Sequence, residues 1–95
     1  MTVPKEYRSK AHIYFDILNQ IVKEGTRAGP TRILYGANLS HDRLMRHLTQ
    51  LINLGLVAEE REEDRVFYSI TEKGMKFLQE FRKIQEFAKA FGIPI

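Results

Sequence analysis

At 95 residues the chain is sized for one domain, and one so short that a second copy would add useful buried surface. Hydrophobic residues at 43 % and charged residues at 28 % exclude a disordered tail, and the lack of cysteine excludes disulfides, thiolate catalysis and the usual structural zinc sites. No apolar run approaches the roughly 18 residues needed to span a bilayer, and the net charge of +3 tilts mildly toward polyanionic partners.

The distribution of charge says more than its total. Residues 1–55 carry eight Lys/Arg against four Asp/Glu, residues 56–70 two against five, and residues 71–95 five against three. Basic charge therefore belongs to the segments with helical periodicity, and the segment between them is acidic. The opening residues, Met1 to Glu6, contain no apolar signal core, so a cytoplasmic location is expected.

The first helix is predicted over about Tyr7 to Glu24, because Ile13, Ile17, Leu18, Ile21 and Val22 recur at three- and four-residue intervals with Tyr14 at the stripe's margin. Gly25 suits a left-handed C-terminal cap, and Thr26 to Gly29 is expected to be a loop. Pro30 suits the first turn of a short second helix that ends near Ala37, since Asn38 and Ser40 favour turns and caps. Ser40 is the expected N-cap of a third helix, and Asp42 complements the positive end of its dipole. Arg43 stands where Glu or Gln would complete a capping box. Leu44, Leu48, Leu51 and Ile52 make the third helix's buried stripe, and Gly55 ends it.

Leu56-Val57-Ala58 opens a strand, and Val66 to Ile70 makes a second one of β-branched and aromatic residues. Glu59 to Arg65 is expected to be the charged hairpin tip between them. Thr71 and Glu72 start a last helix that runs to about Phe91, where Gly92 and Pro94 stop it. Three helices, a two-stranded wing and a long C-terminal helix make an α+β, mainly α, winged helix-turn-helix. Residues 1–71 form the winged-helix part and residues 72–95 a C-terminal dimerisation helix, in one structural unit.

At 100° per residue, Leu44, Leu48, Leu51 and Gly55 share one side of the third helix, and Asp42, Arg43, Arg46, Thr49, Gln50 and Asn53 the other. Arg43, Arg46 and Gln50 form a row suited to base edges or phosphates, since Arg pairs with guanine and Gln with adenine. His41 and His47 flank the row and would donate to phosphates when protonated. Thr31 and Arg32, at the start of the second helix, are placed to hold a backbone phosphate together with free amides. Ser40 completes the set of candidate DNA contacts. Exposed helix faces often carry such residues; the helix–turn–helix context is what gives these a direction. The acidic tip argues the other way, because Glu59, Glu60, Glu62, Glu63 and Asp64 would repel phosphates with only Arg61 and Arg65 to offset them. Either the wing points away from DNA, or the domain serves as an interaction module that binds a basic protein through its acidic wing and aromatic C-terminal helix.

In the last helix Phe77, Phe81, Ile84, Ala88 and Phe91 are spaced 4, 3, 4 and 3, the 3.5-residue period of a coiled coil. Met75 and Leu78 lie off that seam and are assigned to the core. Leaving Phe81, Phe87 and Phe91 in water would expose several hundred Å² of apolar surface, so a homodimer through this helix is expected. Such a dimer would present two reading heads.

The run T-R-I-L-Y-G-A-N-L-S at Thr31–Ser40, with L-x-x-L-x-x-L-G-L-V at Leu48–Val57 and T-x-x-G at Thr71–Gly74, resembles small archaeal winged-helix DNA-binding proteins of the roughly ten-kilodalton, dimeric, chromatin-associated or regulator-like type. The resemblance covers almost the whole chain. It implies a homodimer joined by antiparallel C-terminal helices that binds double-stranded DNA with its third helix, as a nucleoid-associated regulator or architectural protein. On that model Ser40, Arg43, Arg46 and Gln50 occupy recognition-helix positions, while Tyr35, Gly36 and Leu39 shape the turn. The acidic wing and the short last helix depart from the type.

No enzyme is expected. His12, His41 and His47 do not share a face from which to hold a metal, no Ser–His–Asp set or glycine-rich phosphate loop is present, and the paired acids at Glu59-Glu60 and Glu62-Glu63 lack burial to raise a pKa. No cofactor and no small-molecule effector site is evident.

Overall fold

A computed structural model of the chain describes residues 8–95. The elements are α1 (Lys10–Lys23), β1 (Arg27–Ala28), α2 (Pro30–Ala37), α3 (His41–Asn53), β2 (Val57–Glu62), β3 (Arg65–Ile70) and α4 (Glu72–Ala90). The strands form one antiparallel sheet in the order β1-β3-β2.

Helix boundaries follow local chemistry. Ser9 caps α1, its Oγ accepting from the His12 amide at 3.1 Å. The helix therefore starts later than the expected Tyr7, which lies outside the described residues. At its other end Gly25 takes a φ of +94°, and the Thr26 amide returns to the Ile21 carbonyl at 3.0 Å. Pro30 opens α2, and Asn38 closes it in the left-handed region at φ 56°. Ser40 caps α3, accepting from the Arg43 amide at 3.3 Å.

Two expectations about the sheet are corrected. Arg27 and Ala28, assigned to a loop, pair with Ser69 and Tyr68 as β1. A two-residue strand has no periodicity to read; it exists because β3 presents an unpaired edge. The acidic stretch is also mostly strand, since Glu59 to Glu62 pair with Tyr68 to Arg65, leaving Glu63-Asp64 as the turn. These glutamates are held extended by the ladder to β3 rather than by their own propensity.

The core is continuous. Ile13, Ile17, Leu18 and Ile21 of α1 meet Ile33 and Ala37 of α2, Leu44, Leu48 and Leu51 of α3, and Val57 and Tyr68 of the sheet. Leu78 docks α4 on the same cluster, whereas Met75, also assigned to the core, is exposed.

The T-x-x-G motif has a physical cause. Thr71 caps α4, its Oγ1 accepting from the Gly74 amide at 3.0 Å and donating to the Gly55 carbonyl at 2.6 Å. Gly74 lies so close to the end of α3 that a Cβ would stand 2.3 Å from the Leu56 carbonyl oxygen. The pair fixes where α4 leaves the domain. Replacing Gly74 with Ala should lower stability by about 1–3 kcal/mol through overpacking, and Thr71→Ala by about 1 kcal/mol through the lost cap. Both should appear as a lower urea midpoint at unchanged m-value.

Candidate nucleic-acid interface

The geometry of α3 divides its residues three ways. Leu44, Leu48 and Leu51 are buried, and His41, Asp42, Arg46, Thr49 and Asn53 are exposed. Arg43, His47 and Gln50, spaced four and three residues apart, form a half-buried edge turned toward α1. The row of Arg43, Arg46 and Gln50 expected from the helical wheel is thus split: Arg46 is open to water, while the other two border a neighbouring helix.

Tyr14 of α1 causes the split. Its hydroxyl donates to the Gln50 Oε1, and its ring meets the His47 ring edge-on at a centroid distance of 5.8 Å. Burial raises the Tyr14 hydroxyl above its ordinary pKa, so it remains a donor at neutral pH. With Oε1 engaged, Gln50 offers its amide nitrogen only, and a two-point contact to adenine would require it to leave Tyr14.

His47 differs from its expected role. Its Nδ1 is buried without a hydrogen-bond partner among the described residues. Burial pushes its pKa below the usual histidine value, the charges of Arg43, Arg46 and Lys10 add to the effect, and the Gln50 side chain opposes it. The imidazole is therefore held neutral rather than poised to donate as a cation. His41 stays exposed, 3.9 Å from the Asp42 carboxylate.

The α2 contacts are open. Thr31 and Arg32 are exposed, and the Gly29 N-cap supplies no side-chain hydrogen bond to the first turn. Arg32 lies 3.6 Å from Glu24 at the end of α1. Ser40 spends a lone pair on its cap and keeps its hydroxyl proton for another acceptor.

The wing carries its own neutralising cation. Arg27 of β1 reaches Glu62 at 2.7 Å and Glu60 at 3.5 Å, with its guanidinium 4.0 Å from the centre of the Phe67 ring. Hydrogen bonding to Arg27 lowers the Glu62 pKa. Arg61 sits 3.5 Å from Glu59. Glu63 and Asp64, at the turn, have no cationic partner among the described residues, so the extreme tip stays acidic.

The five-residue seam expected along α4 is also split. Phe81 is only 8 % exposed, packed on Phe15 at 5.0 Å and stacked with Phe77 at 5.9 Å. Ala88 is covered as well, where the chain turns back and the Ile93 amide bonds its carbonyl at 2.8 Å. The open apolar face is Ile84, Phe87 and Phe91, exposed by 54, 67 and 68 %. Sequence spacing identified the stripe but not Phe15, which lies off the core stripe of α1 and packs on Phe81, with Phe77 stacked on Phe81 in turn.

The family model described as winged helix-turn-helix matches residues 7–89. The chain belongs to this family. In this winged helix, α2 and α3 are the helix–turn–helix and β2–β3 the wing. Among solved structures, Sso10a-2, a DNA-binding protein from Sulfolobus solfataricus, is 35 % identical over 87 % of both chains with a TM-score of 0.74. F93 from STIV, a winged-helix DNA-binding protein, is 24 % identical over 93 % of this chain and 99 % of its own, with a TM-score of 0.72. Sco5413, a MarR family transcriptional regulator from Streptomyces coelicolor, shares the fold at 15 % identity and a TM-score of 0.74, over 82 % of this chain and 56 % of its own. No curated protein sequence matches at a significant level. No helix among the described residues is long and apolar enough to cross a membrane.

Several contributors to the winged helix's surface went unread in the sequence. Tyr14 sets Gln50, Arg27 offsets the wing, and Arg8 and Lys10 stand beside Arg43 and Arg46 across one cleft. The surplus of cations in the first half of the chain was the available signal, but only contact between α1 and α3 gathers them.

The depressed His47 pKa has a linkage consequence. The unfolded chain binds a proton near pH 6.5 and the folded chain resists it, so this residue's native-state advantage is intact above pH 6.5 and is lost as pH falls from there through the folded-state pKa. Denaturation across pH 5 to 8 should show a shallower acid-side loss of stability for His47→Gln than for the natural chain. Parallel curves would refute the assignment.

Proposed function

We propose that the chain binds double-stranded DNA as a homodimer, with α3 entering the major groove and the ends of α2 and α3 on flanking phosphates. The observation that carries this reading is the orientation of α3. All three of its buried leucines face inward, which leaves Arg46 open to water and Arg43 at its edge, neither with a carboxylate partner among the described residues. The likeness to Sso10a-2, named as a DNA-binding protein, supports it at family level. Thr31, Arg32, Ser40, His41, Arg43, Arg46 and Gln50 are the proposed contacts. His47, held neutral, orients the edge of the helix.

The role that follows is a transcription regulator or an architectural protein associated with the nucleoid. The wing's arrangement supports contact through helices rather than the hairpin, since its strand glutamates are occupied by Arg27 and Arg61 and its tip carries uncompensated acid. Dimerisation is proposed through Ile84, Phe87 and Phe91. An α4 of 19 residues is about 28 Å long, and its second half carries Ile84 and Phe87, with Phe91 at its C-cap, as exposed apolar side chains.

Arg46→Ala should weaken duplex affinity by about tenfold at low salt, read by mobility shift; unchanged affinity would show that α3 does not carry the contact. Phe87→Glu with Phe91→Glu should convert the chain from dimer to monomer in sedimentation equilibrium. The same double variant should lose the affinity gained from two linked heads. A variant that sediments like the natural chain would place the dimer contact elsewhere.

A further inference from the structure

The start of α1 and the edge of α3 enclose a cleft of about 360 Å³, lined by Arg8, Lys10, Arg43, Arg46, His47 and Gln50. We propose that this cleft seats one backbone phosphate of a bound duplex, held by Lys10 together with Arg43 and Arg46, so that α1 is part of the DNA-binding surface. The proposal rests on the DNA-binding reading of α3 and extends it to a helix outside the helix–turn–helix.

The first support is charge that has no internal partner. Arg27, Arg61 and Lys83 each lie within 4 Å of a carboxylate. Lys10, Arg43 and Arg46 have no such neighbour among the described residues, and no acidic side chain lines the cleft. Arg8, by contrast, is committed: it pairs with Asp16 and donates to the Asn38 carbonyl at 3.3 Å. It forms a wall of the cleft and ties it to the end of α2. Three cations gathered without counter-charge repel one another, and an anion between them removes that repulsion.

Position within α1 adds to this. Lys10 is the first residue of the helix, whose first turn holds no acidic side chain. A helix start is the positive end of the dipole and normally favours Asp or Glu. A lysine there deepens the positive potential. The imidazole of His47 lies where these influences meet, since Lys10, Arg43 and Arg46 all act against its protonation. Three cationic side chains from two helices therefore line one cleft. The cleft is open to solvent and many times larger than the ~30 Å³ share of a water molecule, which leaves room for a phosphodiester.

The test measures duplex binding by fluorescence anisotropy across a potassium chloride series, for the natural chain, Lys10→Gln, Arg46→Gln and the remote control Lys23→Gln. Each neutralised phosphate contributes about 0.9 to the slope of log affinity against log salt. Lys10→Gln should make the slope shallower by about that amount for each protomer engaged, and Lys23→Gln should leave it unchanged. A natural-chain slope retained by Lys10→Gln while Arg46→Gln reduces it would overturn the phosphate seat and leave the α3 reading standing. Lack of salt-dependent duplex binding by the natural chain would overturn both. Inorganic phosphate, titrated while the His47 ring signals are followed by NMR, separates the remaining source. Saturable shifts that vanish in Lys10→Gln, with an unaltered duplex slope in that variant, would assign the cleft to a free anion and overturn the duplex claim.

Discussion

The burial of Leu44, Leu48 and Leu51 in the core cluster shared with α1, α2 and the sheet is the constraint from which the functional surface follows. A helix that packs three leucines on one stripe has no rotational freedom left, because turning it by one residue would move every leucine by about 100°. Each fully buried leucine is worth about 1.5–3 kcal/mol relative to exposure, so the alternative orientations are strongly disfavoured. Arg46, Thr49 and Asn53 face water because the leucines cannot. The surface proposed to meet DNA is thus set by the core rather than by its own interactions.

Helix α1 is the second organiser, and its role exceeds that of a core element. Its apolar stripe supplies Ile13, Ile17, Leu18 and Ile21 to the interior. Tyr14, at the stripe's edge, reaches Gln50 and His47 on α3, while Phe15, farther round, receives Phe81 of α4. One helix therefore positions both the polar edge of α3 and the root of the proposed dimer helix. A change in how α1 sits would be felt at both ends, since these are packed contacts with two sides rather than flexible tethers.

Charge is partitioned along the same lines. On the wing, opposite charges satisfy one another: Arg27 bridges two glutamates while lying on Phe67, and Arg61 approaches Glu59. Exposed ion pairs of this kind contribute little stability, but they remove cations from the pool available to a polyanion. On the α3 side Lys10, Arg43 and Arg46 have no carboxylate within 4 Å among the described residues. A modest net charge of +3 thereby becomes a molecule with one self-neutralised, locally acidic end and one basic face, and it is the face that matters to a phosphate backbone.

Local signals determined a large part of this protein. Caps at Ser40 and Thr71, the turn at Gly25, Pro30 at the start of α2 and the leucine period of α3 are encoded within a few residues of where they act, and each appears where its chemistry placed it. The winged helix-turn-helix was legible for that reason. Contacts between elements distant in sequence were decided by the tertiary structure alone: β1 against β3, Tyr14 against Gln50, Arg27 against the wing, Phe15 against Phe81, and Lys10 beside Arg43. Periodicity reports which side of a helix is apolar or polar, but not which neighbour will stand there. That is why the α4 stripe and the α3 row were both found, and why both were divided once their neighbours were in place.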